Sequence, residues 1–312
     1  MASIPRKQKI VLIGGLGFIG TNLQYSLLTQ GVTAKEIYII DNASNPAQDP
    51  LDNDVEVLET DFKNFEKIRS ILSRADVLIH LAAATRVQDS IQDPAFSFEQ
   101  NVFKTFELLE LCRKVSVKKF VFASTGGAIL GDALPPINED MVALPKSPYG
   151  ASKAAIEAYL SAYHHSFGLN YLALRFSNIF GRFSLRKQSV VSAFIKQIEE
   201  TNLLVINGSG EQTRDFLFAG DLCEGILAAV RANISGVFQL GTGKGTSIKQ
   251  LGEWLIEISG KKVEVIYRDS LPGEVAHTYC DISRARRSFG FKPGTPLAMG
   301  LKETYDWHRN AC

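Results

Sequence analysis

A short apolar run that leads directly into a cluster of glycines constrains this chain more than any other feature of its sequence. Residues 9–13 (KIVLI) are followed by residues 14–20 (GGLGFIG) and then by a helix-compatible segment, residues 21–28. This order predicts a buried strand, a tight turn and a helix. Such a turn lets the backbone approach a pyrophosphate, which the free amides and dipole of the helix N-terminus attract. The residues predicted to contact a dinucleotide here are Gly14, Gly17, Phe18, Ile19 and Gly20.

An acidic residue follows the second predicted strand. Residues 36–40 (EIYII) lead into Asp41, which lies about twenty residues beyond Gly20. A carboxylate at this point accepts hydrogen bonds from an adenosine ribose; a glycine turn beside an unrelated surface aspartate is the alternative. Asn42 and two small residues come next, and no Arg or Lys is near enough to neutralise a 2′-phosphate. The sequence therefore favours NAD over NADP, with Asp41 and Asn42 as cofactor contacts.

Short apolar segments alternate with helix-compatible segments through about the first 175 residues. This alternation predicts an α/β fold with a doubly wound parallel sheet of the Rossmann type. From about residue 178 the pattern becomes irregular, and we expect residues 1–177 to bind the dinucleotide and residues 178–312 to form a smaller, interleaved substrate-binding lobe. The predicted strands are residues 10–13, 37–40, 55–58, 77–81, 120–123, 171–174 and 263–266, and the predicted helices of the second lobe are residues 190–200 and 247–259.

Tyr149 and Lys153 are one helical turn apart and therefore share a helix face. A tyrosine has a pKa near ~10 in water, and a nearby cation favours its phenolate, so this pair is a candidate general base. Ser147 and Pro148 predict a helix N-terminus just before it. The alternative is an ordinary helix start, with Tyr149 in the packing and Lys153 in solvent.

Composition excludes several classes of partner. The 312 residues carry a formal net charge of +1, which argues against a nucleic-acid or membrane-surface partner. Residues 1–8 contain no apolar leader, and no segment approaches the ~18 apolar residues of a membrane span, so a cytoplasmic protein is expected. The 5 histidines and 4 cysteines show no spacing typical of a metal site, and no metal is expected.

Together these segments resemble the extended short-chain dehydrogenase/reductase family, in its nucleotide-sugar epimerase and dehydratase branch. The resemblance extends over nearly the whole chain and rests on many motifs in the same order. Besides the glycine turn and the Tyr149/Lys153 pair, these are residues 61–62 (DF), 80–83 (HLAA), 101–102 (NV), 122–125 (FAST), 175–181 (RFSNIFG), 208–216 (GSGEQTRDF) and 241–243 (GTG).

The resemblance implies three catalytic residues. Thr125 would hydrogen-bond the reacting sugar hydroxyl, Tyr149 would shuttle the proton, and Lys153 would lower the pKa of Tyr149 and hold the nicotinamide ribose. Ser124, next to Thr125, is the alternative for its role. The further residues that the resemblance places at the cofactor are Asp61, Phe62, Leu81, Ala82, Ala83, Asn101 and Ser124.

The resemblance also implies a substrate site on the second lobe. Arg214 would bind the substrate diphosphate, with a local ion pair to Asp215 as the alternative reading. Asn178 would contact the diphosphate or sugar, and Glu274 the nucleotide ribose. The chain has Leu271 where the family usually has an arginine, which leaves Arg182, Arg186 and Arg268 as candidates to supply the missing cation.

Arg86 follows the fourth predicted strand, in a loop that the family uses against the hexose. A guanidinium there would pair with a hexuronate carboxylate, or donate to hydroxyl or N-acetyl oxygens. A solvated ion pair with Asp89 is the alternative.

The residues after Thr125 narrow the expected reaction. Similar dehydratases have an Asp-Glu pair here and similar sugar-acid decarboxylases a Ser-Glu pair, whereas this chain has Gly126, Gly127 and Ala128. The resemblance therefore implies reversible hydride transfer at sugar carbon 4 and epimerisation, with a UDP-hexose as the expected substrate. The alternatives are an NAD(P)-dependent reductase or dehydrogenase and a catalytically silent cofactor-sensing protein.

Dimers in this family commonly pair the two helices that correspond to residues 101–113 and 149–167. A homodimer is therefore expected; the alternative is that these helices pack only on their own sheet. The residues predicted to form the shared apolar face are Phe103, Phe106, Leu109, Tyr159 and Tyr163.

Overall fold

A computed structural model describes residues 8–47, 50–187, 189–270 and 275–311 of the chain. The strands are β1 (Ile10–Ile13), β2 (Ile37–Asp41), β3 (Glu56–Glu59), β4 (Val77–His80), β5 (Lys119–Thr125), β6 (Asn170–Phe176), β7 (Asn178–Phe180), β8 (Leu203–Asn207), β9 (Thr213–Arg214), β10 (Phe216–Phe218), β11 (Gly236–Leu240), β12 (Thr246–Ser247), β13 (Glu264–Arg268) and β14 (His277–Thr278).

The helices surround the central sheet and build the second lobe. They are α1 (Phe18–Thr29), α2 (Phe65–Leu72), α3 (Val87–Gln92), α4 (Pro94–Phe98), α5 (Lys104–Val115), α6 (Gly127–Leu130), α7 (Pro148–Phe167), α8 (Val190–Thr201), α9 (Ala219–Arg231), α10 (Ile248–Ser259), α11 (Ser283–Phe289) and α12 (Leu297–Ala311), with a 3₁₀ turn at Ala34–Glu36 and a π-helical turn at Glu99–Phe103 between α4 and α5. In the described part of the chain, no helix is both long enough and apolar enough to cross a membrane.

Seven parallel strands form the central sheet, in the order β11-β6-β5-β4-β1-β2-β3. Every residue of β1 and β4 is buried, because helices cover both faces of these inner strands. Separate apolar clusters fill the two sides of the sheet. The predicted doubly wound parallel sheet is confirmed.

One strand of this sheet comes from the chain after residue 178. β11 pairs in parallel with β6, with Gly236 opposite Leu172, and α9 packs against α1. The sequence did not predict β11. Residues on both sides of position 178 therefore contribute to the central sheet, and the division of the chain into two lobes at residue 177 stays a prediction.

The second lobe is built from three small sheets and a third apolar cluster. The small sheets pair β8 with β13, β7 with β10, and β9 with both β12 and β14. α8, α10 and α12 supply most of the apolar cluster. The predicted helices 190–200 and 247–259 are present as α8 and α10, and the predicted strand 263–266 is present as β13.

Candidate active site

The glycine turn between β1 and α1 leaves no room for side chains at two of its positions. Gly14 has φ +80°, and a Cβ there would lie 2.8 Å from the Ala82 nitrogen. A Cβ on Gly20 would collide with the carbonyl oxygen of Gly15. Gly17, at the N-cap of α1, provides no side-chain acceptor for the first amides of the helix. These amides are therefore available to an anion such as a pyrophosphate.

Asp41 lies at the end of β2, and backbone amides fix its carboxylate beside the glycine turn. Its Oδ2 accepts a hydrogen bond from the Leu16 nitrogen at 3.0 Å, and its Oδ1 accepts one from the Ala43 nitrogen at 2.9 Å. Each carboxylate oxygen keeps acceptor capacity for a further donor. The arrangement fits an adenosine ribose, and the preference for NAD over NADP stays a prediction.

The segment after β4 crosses over the glycine turn. The amides of Leu81 and Ala82 both donate to the Ile13 carbonyl, at 2.9 and 3.1 Å. Asn101, in the π-helical turn, is buried and binds both backbone groups of Ala84: its Oδ1 accepts at 2.8 Å and its Nδ2 donates at 2.9 Å. Asn101 therefore holds the loop that begins with residues 81–83. A direct contact of these residues with the cofactor stays a prediction.

Asp61 and Phe62 lie in the loop after β3. The Asp61 carboxylate accepts from the Lys63 nitrogen at 3.0 Å and lies 3.7 Å from the Lys104 ammonium. The Phe62 ring packs edge-on against the buried His80, with ring centroids 5.0 Å apart. These contacts hold both residues at the carboxyl edge of the sheet, and their contact with the cofactor stays a prediction.

The helix that carries Tyr149 begins where the sequence predicts. Ser147 caps α7 by accepting from the Gly150 nitrogen at 3.2 Å, and Pro148 occupies the first turn. The Tyr149 nitrogen, one of the amides without an intrahelical acceptor, donates to Ser90 Oγ at 3.2 Å. Ser90, on α3, thereby joins the loop after β4 to the start of α7.

Tyr149 and Lys153 share a face of α7, as predicted. The Lys153 Nζ donates to the Ala123 carbonyl at 2.8 Å and lies 5.8 Å from the centroid of the Tyr149 ring. Burial raises the pKa of Tyr149 to about 12 and lowers the pKa of Lys153 to about 7, the latter partly offset by the Glu157 carboxylate. The lowering of the Tyr149 pKa by Lys153 stays a prediction, and the burial of both groups opposes it.

Ser124 and Thr125, at the end of β5, have different surroundings. Ser124 is buried, and its hydroxyl donates to the Glu157 carboxylate at 2.5 Å. Glu157 also forms a buried ion pair with Arg175, whose Nη2 lies 2.7 Å from Oε2. The half-buried Thr125 hydroxyl has no hydrogen-bond partner among the residues that the structure describes. Thr125 is therefore the better candidate for the substrate hydroxyl, while Ser124 binds Glu157.

The short segment after Thr125 packs closely against β11 and β14. A Cβ on Gly126 would lie 2.6 Å from the Gln239 Oε1, and one on Gly127 would lie 3.0 Å from the Thr278 Cγ2. Packing against β11 and β14 thus accounts for the small residues at these positions.

Arg214 lies on β9, beside a cleft of about 730 Å³ lined mainly by residues of the second lobe. Its Nη1 donates to the Thr213 carbonyl at 2.9 Å. Within the described residues no ion pair joins it to Asp215, whose buried carboxylate accepts from the amides of Thr242 and Gly243 at 2.7 and 3.1 Å. The alternative reading of a local Arg214–Asp215 pair is therefore wrong. The cleft is lined by Pro135, Thr213, Gly243, Lys244, Gly245, His277 and Tyr279.

Three other predicted substrate residues have different outcomes. Asn178 opens β7 with its side chain exposed, and its nitrogen donates to the Asp215 carbonyl at 2.8 Å. Arg86 is exposed and pairs with Asp89 at 3.2 Å, which fits the alternative of a solvated ion pair. Glu274 lies outside the described residues, as does Leu271.

Two groups near the site were not among the residues predicted from the sequence. Glu157, one turn beyond Lys153, was detectable from its helical spacing. Lys187, in the connection from β7 to α8, places its ammonium 4.7 Å from the centroid of the Phe18 ring. No sequence pattern predicts that contact, since it joins segments far apart in the chain.

Comparisons with known proteins agree with this geometry. The model of the NAD dependent epimerase/dehydratase family matches residues 10–241. A UDP-glucuronate 4-epimerase of Thermodesulfobacterium geofontis is 31% identical over 313 residues, which cover 96% of this chain and 95% of the relative.

Two solved structures are similar over almost their entire length. The UDP-glucose 4-epimerase of Thermotoga maritima with UDP-glucose has a TM-score of 0.91 and 32% identity, covering 97% of this chain and 99% of the other. The UDP-N-acetylglucosamine 4-epimerase of Methanobrevibacter ruminantium, in complex with UDP-N-acetylmuramic acid, has a TM-score of 0.92 and 30% identity, covering 98% and 100%.

The residues present fit the cofactor that the family uses. The glycine turn leaves space for a pyrophosphate, and Asp41 lies at the position where an adenosine ribose is bound in such folds. The family match extends over most of the chain, from β1 to the end of β11. This chain therefore belongs to the NAD-dependent epimerase/dehydratase family, and its cofactor is NAD.

Proposed function

We propose that this protein epimerises carbon 4 of a UDP-linked hexose, with NAD as a retained cofactor. The observation that carries the proposal is the arrangement around the carboxyl end of β5. Thr125 ends this strand with its hydroxyl unpaired among the described residues, and Tyr149 and Lys153 share the facing side of α7. A hydroxyl donor, a phenol and an ammonium are the groups needed to move a proton from and to a sugar oxygen.

In the proposed reaction Tyr149 removes the proton from the O4 hydroxyl as the hydride leaves carbon 4, and a 4-keto sugar forms. Thr125 hydrogen-bonds O4 throughout, and Lys153 orients the cofactor ribose. When bound, NAD supplies the hydride acceptor and donor, and its positive oxidised ring favours the Tyr149 phenolate. Since burial raises the pKa of Tyr149 to about 12, the phenol without the cofactor keeps its proton near neutral pH. Return of the hydride to the opposite face, with the proton returned by Tyr149, completes the epimerisation.

The glycines after Thr125 support epimerisation over elimination or decarboxylation. Those reactions call for further acid or base groups near the sugar. Gly126, Gly127 and Ala128 carry no acid or base group, so the segment supplies neither.

The assignment to UDP sugars is supported by the relatives. The named proteins act on or bind UDP-linked glucose, N-acetylglucosamine and glucuronate. They share the nucleotide and differ in the sugar, so we propose a UDP-hexose and leave the hexose open. In this proposal Arg214 binds the diphosphate beside the cleft of the second lobe, and Asn178 and Glu274 contact the remainder of the substrate.

The experiment is a panel of UDP-, GDP-, CDP- and dTDP-hexoses incubated with the purified protein without added cofactor, with the products resolved by chromatography. We expect interconversion of a UDP-hexose and its 4-epimer. Tyr149→Phe is expected to lose most turnover but to keep its NAD content and melting temperature, since the phenol oxygen serves only the proton transfer.

Two outcomes would contradict the proposal. Turnover only on addition of NAD(P)H would indicate a net reductase or dehydrogenase, and cofactor binding without any turnover would indicate a cofactor-sensing protein. Near-normal activity of Tyr149→Phe would overturn the role of the phenol.

A further inference from the structure

Lys187 reaches from the second lobe to the start of the cofactor-binding helix. It lies in the connection between β7 and α8, and its Nζ donates to the Ile179 carbonyl at 3.0 Å. The same ammonium lies 4.7 Å from the centroid of the Phe18 ring, and Phe18 is the first residue of α1. Ile179 in turn is the neighbour of Asn178. The ammonium therefore lies between the glycine turn and the first residues of β7.

The surroundings of this ammonium do not neutralise it. A lysine ammonium has three donors, and in the described part of the chain Lys187 has one hydrogen-bond acceptor and no carboxylate within 4.0 Å. An aromatic face and a carbonyl oxygen stabilise a cation only weakly. Burial lowers the pKa of Lys187 to about 8, and an anion beside it would raise that pKa again. Two donors thus remain for a negatively charged ligand.

The connection that carries Lys187 is held in place. Asn22 of α1 donates to the Arg182 carbonyl at 2.9 Å, which docks the connection on the cofactor-binding helix. Ser184 donates to the Gly181 carbonyl at 2.6 Å, and the Lys187 nitrogen donates to the Ser184 carbonyl at 2.9 Å. The backbone that carries the lysine is therefore fixed by the fold, which favours a preorganised binding group.

The arginines suggested by the sequence are placed differently. Arg182 is paired with Glu303 of α12 at 2.7 Å, and its guanidinium lies 5.8 Å from the centroid of the Tyr25 ring. Arg186 and Arg268 are exposed. Among these cations, Lys187 is the one that contacts the first residue of α1.

We propose that Lys187 binds a diphosphate oxygen at the junction between the glycine turn and β7. The inference rests on the proposed function, which brings two diphosphates to this region: the pyrophosphate of NAD and the diphosphate of the nucleotide sugar. Both present the same chemistry to an ammonium, a doubly charged group with several acceptor oxygens. Binding would supply the acceptors that Lys187 lacks.

The experiment compares Lys187→Met with the wild type in two arms. One arm measures the rate at which bound NAD is released during dialysis, and the other measures the dissociation constant for UDP by calorimetry on the NAD-loaded protein. Loss of a charge-assisted hydrogen bond is expected to raise one of these values by about tenfold or more. The arm that changes identifies which diphosphate the ammonium contacts.

Three further variants complete the test. Lys187→Arg keeps the charge and should recover most of the affinity, and Lys187→Gln keeps a donor for the Ile179 carbonyl, which provides a folded, uncharged variant if the methionine fails to fold. Lys196→Met is the matched control, since Lys196 on α8 is 70% exposed and its loss should change neither value. Folding is checked by melting temperature.

The inference is overturned if a folded Lys187→Met or Lys187→Gln variant gives values within about twofold of the wild type in both arms. Because neither arm uses turnover, the result is separable from the proposed function. A wild-type protein that retains NAD and binds UDP but epimerises no sugar would overturn the function alone.

Discussion

Burial acts in opposite directions on the two ionisable groups of the candidate base. It raises the pKa of Tyr149 to about 12 and lowers that of Lys153 to about 7, since in both cases it disfavours the charged form. The four-residue spacing of the pair predicts a shared helix face, and this is confirmed. Spacing carries no information on solvent exposure, however, so it does not predict the effect of burial on the two pKa values.

The lowered pKa of Lys153 has a consequence for stability. The unfolded chain keeps the ordinary lysine value of 10.5, so between about pH 10.5 and pH 7 the unfolded state binds more protons than the folded state. Stability is thus greatest above pH 10.5 as far as this group is concerned. It falls as the pH is lowered towards 7 and levels off below that value.

We therefore expect Lys153→Met to gain thermal stability relative to the wild type as the pH falls from 10 to 7. The methionine retains the apolar contacts but carries no proton, and the difference is on the order of a few kcal/mol. The measurement is the melting temperature of both proteins across this pH range. Lys35→Met is the control, because Lys35 is 80% exposed and should give a constant difference. A constant difference for Lys153→Met as well would show that folding does not lower the pKa of Lys153.

At the scale of elements, α7 is tied to the central sheet by a buried network. Glu157, one turn after Lys153, accepts from Ser124 of β5 and pairs with Arg175 of β6 through Nε at 3.0 Å and Nη2 at 2.7 Å. The two partners are 8% and 6% exposed, so each depends on the other for its charge compensation. The network fixes the helix that carries the base relative to the strand that carries Thr125.

Breaking this ion pair is expected to be costly. Glu157→Leu leaves the Arg175 guanidinium buried without a counter-charge, and we expect a loss of about 3–5 kcal/mol in the free energy of unfolding. The double variant Glu157→Leu/Arg175→Met should recover much of it, because the guanidinium is removed together with its counter-charge. Urea denaturation measures both.

The surface pair between Lys302 and Asp306 offers a matched control for this prediction. Its partners are 59% and 47% exposed, and Asp306→Asn is expected to cost less than about 1 kcal/mol. If Glu157→Leu costs no more than Asp306→Asn, the buried pair does not stabilise the fold as described.

The strands differ in how well the sequence predicts them. β1, β2 and β4 are continuous apolar runs, because helices cover both faces of inner parallel strands, and the predicted bounds agree within one residue. β11 was missed: it carries the polar Gln239, and its partner β6 lies far earlier in the chain. The two- and three-residue strands of the second lobe are too short to show a period.

The residues of the candidate site also differ in how well the sequence predicts them. Residues that belong to a contiguous motif, such as the glycine turn and the Tyr149/Lys153 pair, were identified from the sequence. Contacts between distant segments, such as Lys187 with Phe18 or Ser90 with Tyr149, depend on the tertiary fold and left no local pattern.

On the scale of the whole molecule, exposed aromatic side chains cluster on neighbouring helices of one face. Phe103 and Tyr159 are 49% and 43% exposed, as expected for a shared apolar face. Leu109 and Tyr163 do not belong to it: both are buried in the protein's own core, and the Tyr163 hydroxyl donates to Glu110 at 2.6 Å. The other exposed large apolar residues of these helices are Val87, Ile91, Phe96, Phe98 and Phe167.

We propose that this face joins two copies of the chain. Exposed apolar patches of this kind mark interaction surfaces, and a twofold dimer brings the same patch of both subunits together. By light scattering at micromolar concentration, the wild type should have twice the chain mass of 34.3 kDa. The double variant Phe103→Ser/Tyr159→Ser should shift towards the single-chain mass, because it removes aromatic area from the patch without touching buried residues.

Tyr267→Ser is the control, since Tyr267 on β13 of the second lobe is equally exposed, at 50%, and should leave the mass unchanged. A wild type that stays monomeric throughout this range would contradict the dimer, and a double variant that dimerises as tightly as the wild type would place the interface elsewhere.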